Sequence, residues 1–68
     1  MKNIIAHVKI YLASSEALDE ADIEAVTSFE IGNFKMPLPD IISILCHKFC
    51  EENFPKCQFV DFEVISYE

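Results

Sequence analysis

Two alternating apolar runs, a helical stripe and a third alternating run, in that order, predict a small α+β domain of the form β-β-α-β. In the first run, Lys2 to Leu12, Ile4, Ala6, Val8, Ile10 and Leu12 fall on one side, and Ile5, His7, Lys9 and Tyr11 on the other. This period of two, with its β-branched content, is that of a strand. Ala13 to Ala21 carries helix formers and a capping serine at Ser14 or Ser15, but its one large apolar residue is Leu18, so it holds at most one helical turn.

The second strand is expected where Ile23, Ala25, Thr27, Phe29 and Ile31 alternate with Glu24, Val26, Ser28 and Glu30. A helix from Ser15 to Val26 competes for part of this segment. It gathers only Leu18, Ala21, Ala25 and Val26 on one face, too weak an anchor for a buried helix. Gly32 and Asn33 form the one strong turn dipeptide, and a glycine at its first central position suits a type II′ turn. Phe34 to Met36 either returns as a short strand or leads into the next element, and Pro37 and Pro39 end any pairing.

Pro39 and Asp40 then open a helix, through a preset φ and an anion at the positive end of the dipole. Ile41, Leu45 and Phe49 recur four apart, flanked by Ile42, Cys46 and Cys50, until Asn53 and Pro55 end the pattern. The last strand, Gln58 to Tyr67, sets Val60, Phe62 and Val64 on one side and Phe59, Asp61, Glu63, Ile65 and Tyr67 on the other. A right-handed crossover through the helix, skipping one position, brings this strand beside the first. The expected sheet is three-stranded and antiparallel in the order 2-1-3, with the helix on one face. Its core is Ile4, Val8, Ile10, Phe29, Ile31, Leu45, Phe49, Val60, Phe62 and Val64.

Sixty-eight residues make one domain, spanning 1-68, and its 51% apolar content with six Phe and two Tyr is far too hydrophobic for a disordered chain. A core this small commonly leaves only about 3 to 5 kcal/mol of net stability, so self-association is a natural supplement. No apolar run approaches the roughly 20 residues of a membrane span, and no secretory leader is evident, so a cytoplasmic location is expected. Three cysteines, an odd number, fit a reducing compartment.

Charge narrows the function classes further. Twelve Asp and Glu oppose five Lys, arginine is absent, and the net charge is -7. Nucleic-acid binders draw affinity from Lys and Arg on phosphates, so direct nucleic-acid binding is not expected. No basic residue lies between Lys9 and Lys35, whereas Glu16, Asp19, Glu20, Asp22, Glu24 and Glu30 do. Such a run is commonly a solvated face, but its field reaches about 8 Å at physiological salt and can steer a basic partner.

Chemistry-bearing clusters are few. Cys46 and Cys50 share a helical face, but their spacing with Cys57 is not that of a zinc knuckle, and His47 points about 100° away from Cys46. Free core thiols and no metal are therefore expected. His7 and His47 have no nucleophile placed beside them, and a single glycine builds no phosphate loop, so neither an enzyme nor a cofactor is expected. Asp61 and Glu63, about 7 Å apart along a strand, lack a cleft.

The sheet face away from the helix would present Tyr11, Val26, Phe59, Ile65 and Tyr67 among carboxylates, a composition closer to an interface than to an inert surface. The expected function is a protein-interaction module, an inhibitor that covers a basic, nucleic-acid-binding or other, surface of a larger protein. Glu16, Asp19, Glu20, Asp22, Glu24 and Glu30 would supply charge, and Tyr11, Phe59, Ile65 and Tyr67 apolar contact. In composition the chain is similar to compact acidic inhibitors carried by phages and other mobile elements, including anti-restriction and anti-CRISPR proteins. That similarity is one of class, and no motif carries it. The alternative expectation is a homodimeric structural or regulatory protein, associating through the open face or an edge strand.

Overall fold

The computed structural model describes residues 3–15, 20–32 and 35–68. Its elements are β1 (Ile4–Ala13), β2 (Ile23–Ile31), α1 (Leu38–Asn53) and β3 (Gln58–Tyr67). The strands form one antiparallel sheet in the order β2-β1-β3, and α1 lies across one face of it. Residues 16–19, where a helical turn was the most the sequence allowed, and Asn33 and Phe34 lie outside the described residues. Lys35 and Met36 form a bend rather than a strand.

Among the described residues β1 is the only strand paired along both edges, and its helix-facing residues Ala6, Val8, Ile10 and Leu12 are completely buried. Fully burying a side chain the size of Val8, Ile10 or Leu12 contributes about 1.5 to 3 kcal/mol, so this row is the main source of cohesion. From α1 the row meets Ile42, Cys46 and Cys50, each less than 5% exposed. The deepest line of the helix therefore runs one residue on from the expected Ile41, Leu45 and Phe49, which are half-buried. Cysteine acts as a small hydrophobe at two of these three positions. The flank carrying Phe49 turns towards β2, where its ring meets Phe29 edge-on at 6.2 Å.

The helix has no side-chain cap at its start. Instead the Pro37 carbonyl accepts from the Asp40 and Ile41 amides at 3.0 and 3.2 Å, with Pro39 and Asp40 in the first turn. At its end the Phe54 amide donates to the Cys50 carbonyl at 2.8 Å, and Asn53 Nδ2 to that of Phe49 at 3.0 Å. The Cys57 amide then donates to the Phe54 carbonyl at 3.0 Å, closing the turn into β3.

β3 departs from simple alternation. Its pairing with β1 slips between Tyr11 and Leu12 and again between His7 and Val8, leaving Val60 and Ile65 without partners. Each slip adds one residue to β3 and reverses the side on which later residues fall. Phe59 is thus opposite Leu12 on the helix side, packed against the core with its ring 4.2 Å from that of His47. Val60, expected in the core, is 44% exposed. Tyr67 is opposite Ala6, also on the helix side, and not on the open face where alternation placed it. The physical cause is the FVDF segment: Phe59 and Phe62 are three apart, and only an extra residue lets both face the helix.

Gly32 is a second correction. No described residue has a positive φ, so Gly32 does not take the first position of a type II′ turn. A Cβ there would sit 2.6 Å from Asn3 Oδ1. Its bare backbone leaves room for the Asn3 side chain, whose Nδ2 donates to Glu30 Oε1 at 2.6 Å.

The bulge has a direct energetic signature. Phe59→Ala is expected to cost about 2 kcal/mol, below the full core value because the ring is half-buried, whereas Val60→Ala should cost less than about 0.5 kcal/mol. Denaturant unfolding of both variants checks this, and the reverse order would restore simple alternation.

Candidate functional site

The face of the sheet away from α1 is built on Ile5, His7, Lys9 and Tyr11, the outward row of β1. Ile5 lies between Glu30 of β2 and Glu68, with which it exchanges two backbone hydrogen bonds of 2.9 and 2.8 Å. His7 lies between Ser28 and Ser66, Lys9 between Val26 and Glu63, and Tyr11 between Glu24 and Asp61. Carboxylates thus occupy both ends of the face and one side of its middle. Five of them, Glu24, Glu30, Asp61, Glu63 and Glu68, share this face with Lys9, its one lysine among the described residues. Between them Val26, Val60 and Ile65 are 66%, 44% and 54% exposed.

The polar contacts are ordered across the strands. Tyr11 donates its hydroxyl proton to Glu63 Oε2 at 3.0 Å, and that hydrogen bond, with some burial and the nearby Glu63, Glu24 and Asp61 charges, raises the phenol above its usual pKa. Lys9 Nζ is 4.0 Å from Glu24 Oε2. His7 Nδ1 is 2.7 Å from Ser28 Oγ, while its Nε2 is 3.3 Å from Glu68 Oε1 without hydrogen-bond geometry. Exposed pairs of this kind contribute little stability, so the field they make matters more than the bonds.

Of the expected contact residues, Tyr11, Glu24, Glu30 and Ile65 lie together on this face. Glu20 is exposed in the connection before β2, and Glu16 and Asp19 lie outside the described residues. Asp22 is committed elsewhere. Its Oδ1 accepts from the Ser14 amide at 2.7 Å and its Oδ2 from the Ser14 hydroxyl at 2.5 Å, tying the two ends of the β1–β2 connection. The hydroxyl and then the amide hold its carboxyl below the usual range. Phe59 and Tyr67 are on the helix side, as described above. Sequence reasoning missed Val60 and Glu68; the second follows once Ile65 is counted as an extra residue.

Elsewhere, a cleft of about 340 Å³ opens between the end of α1 and the start of β3, lined by His47, Cys50, Glu51 and Cys57 among others. All three cysteines are free. Burial pushes the Cys46 thiol up to about 11 and also raises Cys50, the latter helped by Cys57. Raised thiols are poor nucleophiles and poor metal ligands. Among the described residues no group of three or more His, Cys, Asp and Glu is placed to hold a metal ion, and no helix is long and apolar enough to cross a membrane. Compared with known proteins, the chain matches no family model, no curated protein and no solved structure.

Because the folded pKa of Asp22 is lowered, its stabilising effect is present above the unfolded value of about 3.9 and is lost as pH falls through the folded one. Asp22→Ala should therefore lower Tm at pH 6, with the gap to the parent closing towards pH 2. A gap that does not change with pH would contradict the tie to Ser14. For the thiols, half-buried Cys57 should react with an alkylating reagent in the folded chain about a hundredfold or more faster than Cys46, which is almost wholly protonated at neutral pH. Rapid labelling of Cys46, located by peptide mapping, would show that its burial is misjudged.

Proposed function

We propose that this chain is an acidic protein-interaction module that lays its open sheet face on a basic surface of a larger protein. By occupying that surface it acts as an inhibitor, as do the compact acidic proteins of phages and mobile elements that it resembles in composition. The observation that supports this reading most strongly is the presence of five carboxylates and one lysine on a single face, with Val26, Val60 and Ile65 exposed between them. Charges of one sign on a shared face speed encounter with the opposite sign, and exposed aliphatics hold the complex once water is excluded.

The same field disfavours two other occupants. Phosphate backbones are repelled by it. Two copies meeting face to face would set ten carboxylates against two lysines. Size adds a constraint: three strands of about ten residues present roughly 15 by 30 Å, or about 450 Å². A standard interface buries about 800 Å² per partner, so the partner must reach beyond the flat face.

The test is capture by the tagged chain from its native host, repeated with Glu63→Lys and Glu68→Lys combined. A protein held by the parent should associate about tenfold more slowly with the reversed chain, and should be released near 1 M salt, where the screening length is only about 3 Å. Binding unaffected by either change would make the acidity a solubility feature and remove the proposal.

A further inference from the structure

From the free edge of β2 we infer a second, adjoining contact: it takes an extended basic segment of the partner as a fourth strand. The inference rests on the basic-partner reading above and names how such a partner engages beyond the flat face.

Both outer strands have one unpaired edge among the described residues, but the two edges differ. β3 is interrupted by the extra residues Val60 and Ile65, and its Phe62 amide is taken up at 2.8 Å by the Asp61 carboxylate. Bulges and self-satisfied amides blunt an edge against pairing. β2 has neither. It runs nine residues in unbroken register, Ile4 opposite Ile31 through Leu12 opposite Ile23, with no proline and no lysine in it. An edge that is long, regular and free of blocking residues is a template for strand addition.

The two sides of this edge specify the occupant. On the helix side Ile23, Ala25, Thr27 and Phe29 are only half-buried, with Ile31 at the end of the strand buried, and Ile41 and Leu45 on the flank of α1 are half-buried too. A hollow of about 220 Å³ at the β2–α1 connection, lined by the apolar Met36, Ile41, Ile44 and Leu45 and by one cation, Lys35, adjoins this flank. On the open side the only charges of β2 are Glu24 and Glu30, six residues apart. A strand laid along β2 would therefore turn alternate apolar side chains under the helix and set lysines or arginines across from these two glutamates. A second copy of β2 in full antiparallel register would instead put Glu24 opposite Glu30 twice, a like-charge arrangement that opposes pairing.

The probe is a blocked synthetic peptide of nine residues alternating valine and lysine, titrated into the isotope-labelled full chain at low salt, with a valine–glutamate peptide as control. Binding should slow hydrogen exchange of the β2 amides that point away from β1 about tenfold or more, and should shift the signals of Phe29, Ile41 and Leu45. Glu24→Lys with Glu30→Lys should weaken it at least about tenfold, and the acidic control should not bind. If the basic peptide shifts only open-face residues such as Ser66 and Glu63, strand addition is wrong while the basic-partner reading stands. Absence of binding anywhere on the chain would remove both. A dimer mass with the outward β2 amides already protected would give the edge to a second copy and overturn the inference.

Discussion

One helix has to cover three strands, and the rest of the molecule follows from that shortage. A helix is about 10 Å across with its side chains, whereas three strands at about 4.8 Å spacing present a wider layer. α1 is sixteen residues long, and beneath it Ala6, Val8, Ile10 and Leu12 of β1 are completely buried, with Ile31 at the end of β2 nearly so. The outer strands receive partial cover, so Ile23, Ala25 and Phe29 on one side and Phe59, Phe62 and Val64 on the other stay half-buried. The Ile42, Cys46, Cys50 line supplies the helix side of this buried layer, with cysteine acting as a small hydrophobe at two of its three positions.

The face away from the helix inherits the opposite problem. With no second layer, its outward residues meet solvent, and the chain places carboxylates at both ends of the β1 row and beside Lys9. Hydrogen bonds from Tyr11 to Glu63 and from Asn3 to Glu30 hold two of them in position. A fixed array of like charges stores repulsion that an opposite charge relieves, which is the ground on which a basic protein surface is proposed as its partner. The acidic connection between β1 and β2 serves a different end in part, since Asp22 is occupied with Ser14 and closes the two strands.

Most of the fold was legible because alternation and helical stripe are strong signals. β2 and β3 begin and end at Ile23, Ile31, Gln58 and Tyr67, where the apolar pattern places them, and the strand order follows from the crossover rule. The errors concentrate in β3. Its apolar residues occupy both parities, at 59, 60, 62, 64, 65 and 67, and a single period cannot place them all. Two extra residues resolve the conflict by reversing the side twice, which moves Phe59 and Tyr67 to the helix side and Val60 out. The helix stripe was shifted by one residue for a related reason: cysteine counts little in an apolar pattern, yet Cys46 and Cys50 lie deepest. The engagement of Asp22 was not legible, since a carboxylate reads alike whether it faces solvent or a serine eight residues away.

The picture is a sheet anchored at its centre and, among the described residues, open at one face and along the edge of β2. Native-state hydrogen exchange of the free chain tests that uneven construction most directly, because amide protection reports local opening free energy. The β1 amides should exchange slowest, close to the rate set by global unfolding, while the amides of β2 directed away from β1 exchange almost freely. Protection spread evenly over β1 and both sides of β2 would contradict the account, since it would mean that something already covers the edge.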